Sequence, residues 1–277
     1  MCRWEIVVRS NSRPGRLEAA SGVGDMGVHM RGIADRKALR WFAALAGLFL
    51  GLTANAATLS SEPLLRIETA MHTAPLSQIS VDSEGRYLLT GAADQTLRLW
   101  NLADKRMLRV FRLPTASGSS SRHQAAALSP NGEWVAAGGM TAGQGSVVYV
   151  FSRTTGEIVR DLSGLPSELV SLVWSPDGRF LLLVSHRHGI RVYRTDDWAM
   201  VGEDRYSSES WRGDISVDNR VAVSSFDGTL RFYQIEPTRL QRLAAVPSGA
   251  AKPVGVSFSP DGRRLAVGCL ESLKVSV

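Results

Sequence analysis

The chain has 277 residues, a formal net charge of +6 and an isoelectric point near 9.7. The positive excess is concentrated in residues 1–56, which hold eight Lys/Arg against four Asp/Glu; the remainder has 24 against 22 and a charge of only +2. That remainder contains no basic run and no interleaving of Lys/Arg with aromatics, which excludes nucleic-acid binding as a reading, and its lone cysteine, Cys269, excludes an intramolecular disulfide.

Residues 1–29 show no sustained period and mix Gly, Ser and Arg, so they read as an unstructured leader or a mis-assigned start, with translation beginning at Met26 or Met30. Residues 30–56 carry a sharper pattern. A basic stretch (Arg31, Arg36, Lys37, Arg40) precedes the uncharged run Trp41–Leu52, and Ala54-Asn55-Ala56 follows. A positive segment, a short apolar segment and an Ala-x-Ala site form the layout of a signal-peptide helix, with cleavage expected after Ala56. Twelve apolar residues are few for a hydrocarbon core of ~30 Å. The expectation is a periplasmic or secreted protein with no membrane contact after cleavage; the alternative is an anchor formed by an uncleaved segment 41–52.

Residues 57–277 read as a domain of short strands. Leu64–Ile67 is an apolar strand standing ahead of the rest. Within 79–101, Ile79–Val81, Tyr87–Thr90 and Thr96–Trp100 are separated by the turns Asp82–Gly85 and Gly91–Gln95, and Leu97 and Leu99 alternate with Arg98 and Trp100. A fourth strand, Met107–Arg112, completes the unit. The first turn recurs as Ser129-Pro130-Asn131-Gly132, Ser175-Pro176-Asp177-Gly178 and Ser259-Pro260-Asp261-Gly262, with a worn copy at Val217–Arg220. The steps are 47 from Gly85 to Gly132, 46 to Gly178, and 43 from Asn219 to Gly262. The third strand recurs as Val148–Phe151, Ile190–Tyr193, Leu230–Tyr233 and Leu273–Ser276. Four short strands per period of roughly 40–45 residues mark the blades of a β-propeller. Their approximate spans are 72–113, 123–165, 168–206, 211–246 and 252–277. The polar stretch 114–122 is a surface loop, and Met140–Gly145 lengthens a hairpin in the second blade.

Gly91–Asn101, preceded by His72 and Thr90, resembles one full repeat of the WD-repeat β-propeller family. The resemblance implies a hydrogen-bonded network of His72, Thr90, Asp94 and Trp100 that braces the blade. Other copies depart from it: Asp227 keeps the acid but Tyr233 replaces the Trp, blade two has Gly145 and Phe151, and blade three has Tyr193 with no turn acid. A strongly braced blade is therefore expected only for the first copy. About four and a half blades are recognisable. They fit either a five-blade ring completed by Leu64–Ile67 or, the favoured expectation, part of a larger ring, since the sequence stops inside a third strand.

Candidate sites each meet a plainer explanation. His186 and His188 flank Arg187 in a hairpin turn, with no third ligand at metal-site spacing, so they read as solvated turn residues. Cys269 sits in a second strand and reads as a small buried core residue. Arg212-Gly213-Asp214 spells an integrin-type tripeptide at the start of a strand and receives no function. The acids of the Ser-Pro-Asp-Gly turns follow from turn chemistry. No nucleophile elbow, dinucleotide loop, phosphate loop or zinc-protease motif is present.

The expectation is a non-enzymatic interaction scaffold in an exported bacterial protein, with protein partners and no cofactor or metal. The layout also resembles exported bacterial proteins in which such repeats precede a caspase-like peptidase. That resemblance implies a propeller that positions substrate for a His/Cys dyad located beyond Val277. A ligand or redox cofactor in a central channel is a third option with no sequence signature.

Overall fold

The computed structural model describes residues 71–114, 125–141, 145–166, 168–249, 252–270 and 275–276. The leader, the 30–56 segment and the Leu64–Ile67 strand lie outside the described residues, as do most of the 114–122 loop and the tip of the Met140–Gly145 hairpin. Among the described residues there are nineteen strands and no helix.

The strands form five antiparallel sheets. Blade one comprises β1 (Leu76–Val81), β2 (Tyr87–Ala92), β3 (Thr96–Asn101) and β4 (Arg106–Arg112). Blade two comprises β5 (Ala125–Leu128), β6 (Trp134–Thr141), β7 (Gly145–Ser152) and β8 (Ile158–Leu165). Blade three comprises β9 (Leu169–Trp174), β10 (Phe180–Ser185), β11 (Gly189–Arg194) and β12 (Met200–Asp204), and blade four β13 (Ser210–Ile215), β14 (Arg220–Ser225), β15 (Thr229–Ile235) and β16 (Leu240–Pro247). The fifth sheet has β17 (Pro253–Phe258), β18 (Leu265–Cys269) and β19 (Val275–Ser276). Each is a simple meander in which every strand pairs with its sequence neighbours. The arrangement accords with a WD-repeat β-propeller.

The turn chemistry explains the repeat. Ser175 Oγ donates to Asp177 Oδ1 (2.6 Å) and accepts the amide of Phe180 (2.9 Å), which closes the turn so that Gly178 takes φ +73°. Ser129 with Asn131, Ser216 with Asp218 and Ser259 with Asp261 repeat this pattern. In blade four Asn219 occupies the glycine position at φ +61°, a conformation asparagine tolerates. Blade one substitutes Asp82, whose Oδ1 accepts the amides of Arg86 and Tyr87 at 2.7 and 2.8 Å.

Three apolar layers lie between consecutive blades. Leu89, Leu97, Leu99 and Phe111 pack on Leu128, Val135 and Phe151; Val148 and Val150 pack with Leu172, Leu181 and Leu183; and Leu182, Val184 and Val192 pack with Ile215, Val221 and Val223. The repeat also appears as bonds between neighbouring blades, each spanning one residue more than the sequence period. Leu128 N donates to Ser80 Oγ across 48 residues, Trp174 Nε1 to Ala127 O across 47, and Phe258 N to Asp214 Oδ2 across 44. The innermost strands β1, β5, β9, β13 and β17 together border a cavity of about 720 Å³.

Two expectations need correction. The alternation in Thr96–Trp100 predicts one buried face, yet Arg98 on the opposite face is only 3% exposed, so β3 is covered on both sides. Cys269 is partly rather than fully buried; burial still pushes its thiol pKa up, away from reactivity.

Candidate functional site

Two polar networks and one turn surface carry the side chains of interest. In blade one, His72 stands just before β1, Thr90 lies on β2, Asp94 in the β2–β3 turn and Trp100 on β3. Trp100 Nε1 donates to Thr90 Oγ1 at 2.9 Å, and Thr90 Oγ1 lies 2.8 Å from His72 Nε2. His72 Nδ1 is 3.0 Å from Asp94 Oδ2. Asp94 also accepts the Thr73 amide (3.0 Å), the Thr96 amide (3.0 Å) and the Thr96 hydroxyl (2.7 Å). Burial works to raise the Asp94 pKa, but these donors outweigh it and hold the carboxyl at about 2. An ionised Asp94 only accepts, so Nδ1 of His72 carries a proton and donates to it. Trp100 thus donates into the network at Thr90, and His72 donates to Asp94 at its other end.

Blade four reaches a comparable result by other means. Val223 pairs with Arg231 where Thr90 pairs with Arg98, so blade four has no hydroxyl to relay a Trp donor. Arg231 instead turns to Asp227: its Nη2 donates to Asp227 Oδ2 (2.7 Å) and to Ser208 Oγ (3.0 Å). The guanidinium lies 4.1 Å from the Tyr206 ring centroid, and Ser210 donates to the Tyr206 hydroxyl at 2.9 Å. Tyr233, at the Trp position, donates to Asp204 at 2.8 Å. Burial would raise Asp227, yet its bonds to Arg231 and Ser208 carry it well below the carboxylate range. The sequence reading confines strong bracing to blade one and misses this arginine-centred network. The available signal was the change from His72 and Thr90 to Ser208 and Val223 with the Asp-x-x-x-Arg spacing retained.

The turn surface lies between blades three and four. Trp211 stacks on Phe226 with centroids 5.0 Å apart and planes 14° from parallel, and His186 meets Trp211 edge-on at 6.3 Å. Arg187 pairs with Glu209, whose second neighbour is His186 Nε2 at 3.7 Å. The amide of Phe226 donates to Glu209 O and that of Ser210 to His186 O, both at 2.8 Å, which fixes the three turns to one another. His186 is thus partly buried against an indole, whereas Arg187 and His188 are exposed. Among the described residues no three His, Cys, Asp or Glu side chains group as metal ligands.

Arg212-Gly213-Asp214 lies within β13 and is not presented on a loop. Arg212 donates to Gln78 of blade one at 2.8 Å, Gly213 abuts Leu182 and Val184, and Asp214 accepts the Phe258 amide at 2.6 Å. Burial alone pushes Arg212 down; burial also raises Asp214 despite the hydrogen bonds it accepts.

The WD domain, G-beta repeat family matches residues 65–101, the segment that carries the blade-one network. The chain is similar to WD repeat-containing protein SL1-17 of Schistosoma mansoni, 23% identical over 184 residues, covering 65% of this chain and 58% of that protein. It is similar to the Periodic tryptophan protein 2 homolog of Dictyostelium discoideum, 26% identical over 168 residues, 60% of this chain and 17% of that one. It is also similar to Small ribosomal subunit protein RACK1 of Schizosaccharomyces pombe, 30% identical over 139 residues, 47% of this chain and 41% of that one. In each case the chain spans less than two-thirds of the relative's length. These three are eukaryotic proteins, and none is named as a peptidase.

Proposed function

We propose that the chain is a non-enzymatic protein-interaction scaffold and that the β10–β11 turn, the β12–β13 connection and the β14–β15 turn form its contact surface. The observation that carries the reading is the Trp211–Phe226 stack with His186, Arg187 and Glu209 around it. Aromatics and arginine held rigidly at a solvent edge are the side chains that contribute most to protein–protein contacts. The residues that recur between blades hold turns and strands together, while those on this surface do not recur; a scaffold with variable turns has that division. The likeness to WD-repeat proteins, one of them named as a ribosomal-subunit protein, supports membership of an assembly.

Export belongs to the same proposal: residues 30–56 direct the chain across a membrane and are removed after Ala56, giving a periplasmic or secreted protein, with segment 41–52 as the anchor wherever cleavage fails. The support is the basic, apolar and Ala-x-Ala order of that segment. An intact mass beginning at Ala57 is the expected result.

Native affinity capture of the full chain from its own source tests the scaffold reading. A partner should be retained in fixed stoichiometry, rebind the purified chain, and be lost on Trp211→Ala while the melting curve is kept. Pure protein that holds no partner and turns over a substrate overturns it.

A further inference from the structure

Three of the chain's seven tryptophans, Trp134, Trp174 and Trp198, line one pocket of about 540 Å³ between blades two and three. It lies at the end of the blades that carries the Ser-Pro-Asp-Gly turns, away from the His186–Trp211 surface. Trp174 is nearly buried and anchored by its bond to Ala127 O, and Trp198 meets it edge-on with centroids 6.1 Å apart.

Trp198 occupies an unusual backbone position. It sits at φ +59° in the β11–β12 turn, where blade two has Gly156 at φ +81° and blade one Lys105 at φ +57°. A bulky aromatic is disfavoured in this left-handed region, and glycine meets the turn's requirement without strain. Strained positions concentrate at ligand clamps. Here the left-handed backbone is kept at a residue that lines the indole pocket and meets Trp174 edge-on.

The remaining wall sets the charge. Glu84 and Asp177 line the pocket with Asn131, and among the described residues no lysine or arginine does. Arg86 pairs with Glu84 and with the fully buried Asp82 and donates to Asn131 O on the pocket wall, and Arg179 pairs with Asp177, so three carboxylates share two guanidinium groups. Indole faces and carboxylates together favour a cation whose stem is apolar.

We propose that the pocket bounded by Trp134, Trp174 and Trp198 binds a lysine or arginine side chain of a partner peptide, with the indoles taking the aliphatic stem and cationic head and Glu84 and Asp177 supplying the opposite charge. The proposal rests on the interaction-module reading but uses a different surface, so the two fail separately.

The test titrates full-length chain with the blocked tripeptide Gly-Lys-Gly and with Gly-norleucine-Gly, following tryptophan fluorescence. The lysine peptide gives a saturable change, and the norleucine peptide binds at least about tenfold more weakly, the factor expected from one desolvated cation–π contact. Trp198→Gly relieves the backbone strain, so it should keep the melting transition while weakening lysine-peptide binding by at least about tenfold. Asp177→Asn should weaken it without affecting Trp211-dependent capture of the partner. Equal binding of both peptides, no saturation at millimolar peptide, or full binding by Trp198→Gly overturns the proposal. Loss of partner capture by Trp211→Ala is independent of all three results.

Discussion

Asp94→Ala is the most informative single perturbation of the blade-one network. The side chain is 8% exposed and accepts from His72, the Thr73 amide, and the Thr96 amide and hydroxyl. The Thr73 amide is near solvent and the Thr96 hydroxyl can rotate, so water replaces part of what is lost. The cost is set chiefly by His72 and the Thr96 amide, two buried donors left without an acceptor at about 1–2 kcal/mol each, for roughly 2–4 kcal/mol in total. In a domain of this size each kcal/mol lowers the midpoint by about 2–4 °C. Asp94→Asn retains one acceptor oxygen and should lose about half as much. Urea unfolding measures the global loss, and hydrogen exchange across residues 72–100 shows whether it begins in blade one. A cycle with Trp100→Phe should return a coupling of about 0.5–1 kcal/mol, because Thr90 and His72 link the two residues. Asp94→Ala within about 0.5 kcal/mol of the parent, or equal loosening of all blades, would refute the reasoning.

Stability should also depend on acid pH. Asp94 falls from 3.8 to about 2 on folding and Asp227 falls further, so the unfolded chain binds more protons in that range. Their contribution is complete above the unfolded value and drains as pH falls through the folded value, on the order of 1–2 kcal/mol for Asp94 after solvent screening. A urea midpoint that stays flat from about pH 5 to about pH 2 contradicts this. Arg231→Ala strands Asp227 and uncovers Tyr206, and should cost about 2–4 kcal/mol by thermal melting. Arg231→Lys should recover only part, since an ammonium reproduces neither the two-nitrogen contact to the Asp227 carboxylate nor the planar face against Tyr206; an alanine variant as stable as the parent rules out the network. Gly189→Ala places a Cβ 1.9 Å from Asp204 O at φ +72°, whereas Gly164→Ala has the same φ and open space. The first should cost at least about 2 kcal/mol more than the second, and equal melting temperatures would contradict the close approach of Gly189 to Asp204 in blade three.

What the sequence made legible was whatever repeats. Three Ser-Pro turns, a worn copy at Val217–Arg220 and the Leu-x-Leu-Trp strand rest on local chemistry, so their spacing announced the strands, and bonds one residue longer than that spacing join Ser80 to Leu128 and Asp214 to Phe258. His72, Thr90, Asp94 and Trp100 were readable because they match a motif residue by residue, and the structure sets them within hydrogen-bonding distance of one another. Arg231 was not, because its partners Ser208, Tyr206 and Asp227 come from two connections and match no motif. Arg98 misled the alternation argument, since period two reports which side chains share a face and not whether the second face is covered. The tryptophan pocket escaped notice for a similar reason: Trp134, Trp174 and Trp198 have no shared spacing, and only the packing of two adjacent blades brings them together.

The central claim is that the blades serve as a frame and their turns make the contacts. Hydrogen exchange of the full chain with and without its captured partner tests it most directly. Protection of residues 186–188, 206–211 and 226–228, with the strand interiors unchanged, is the predicted result. Binding that leaves those turns exchanging freely would contradict the account.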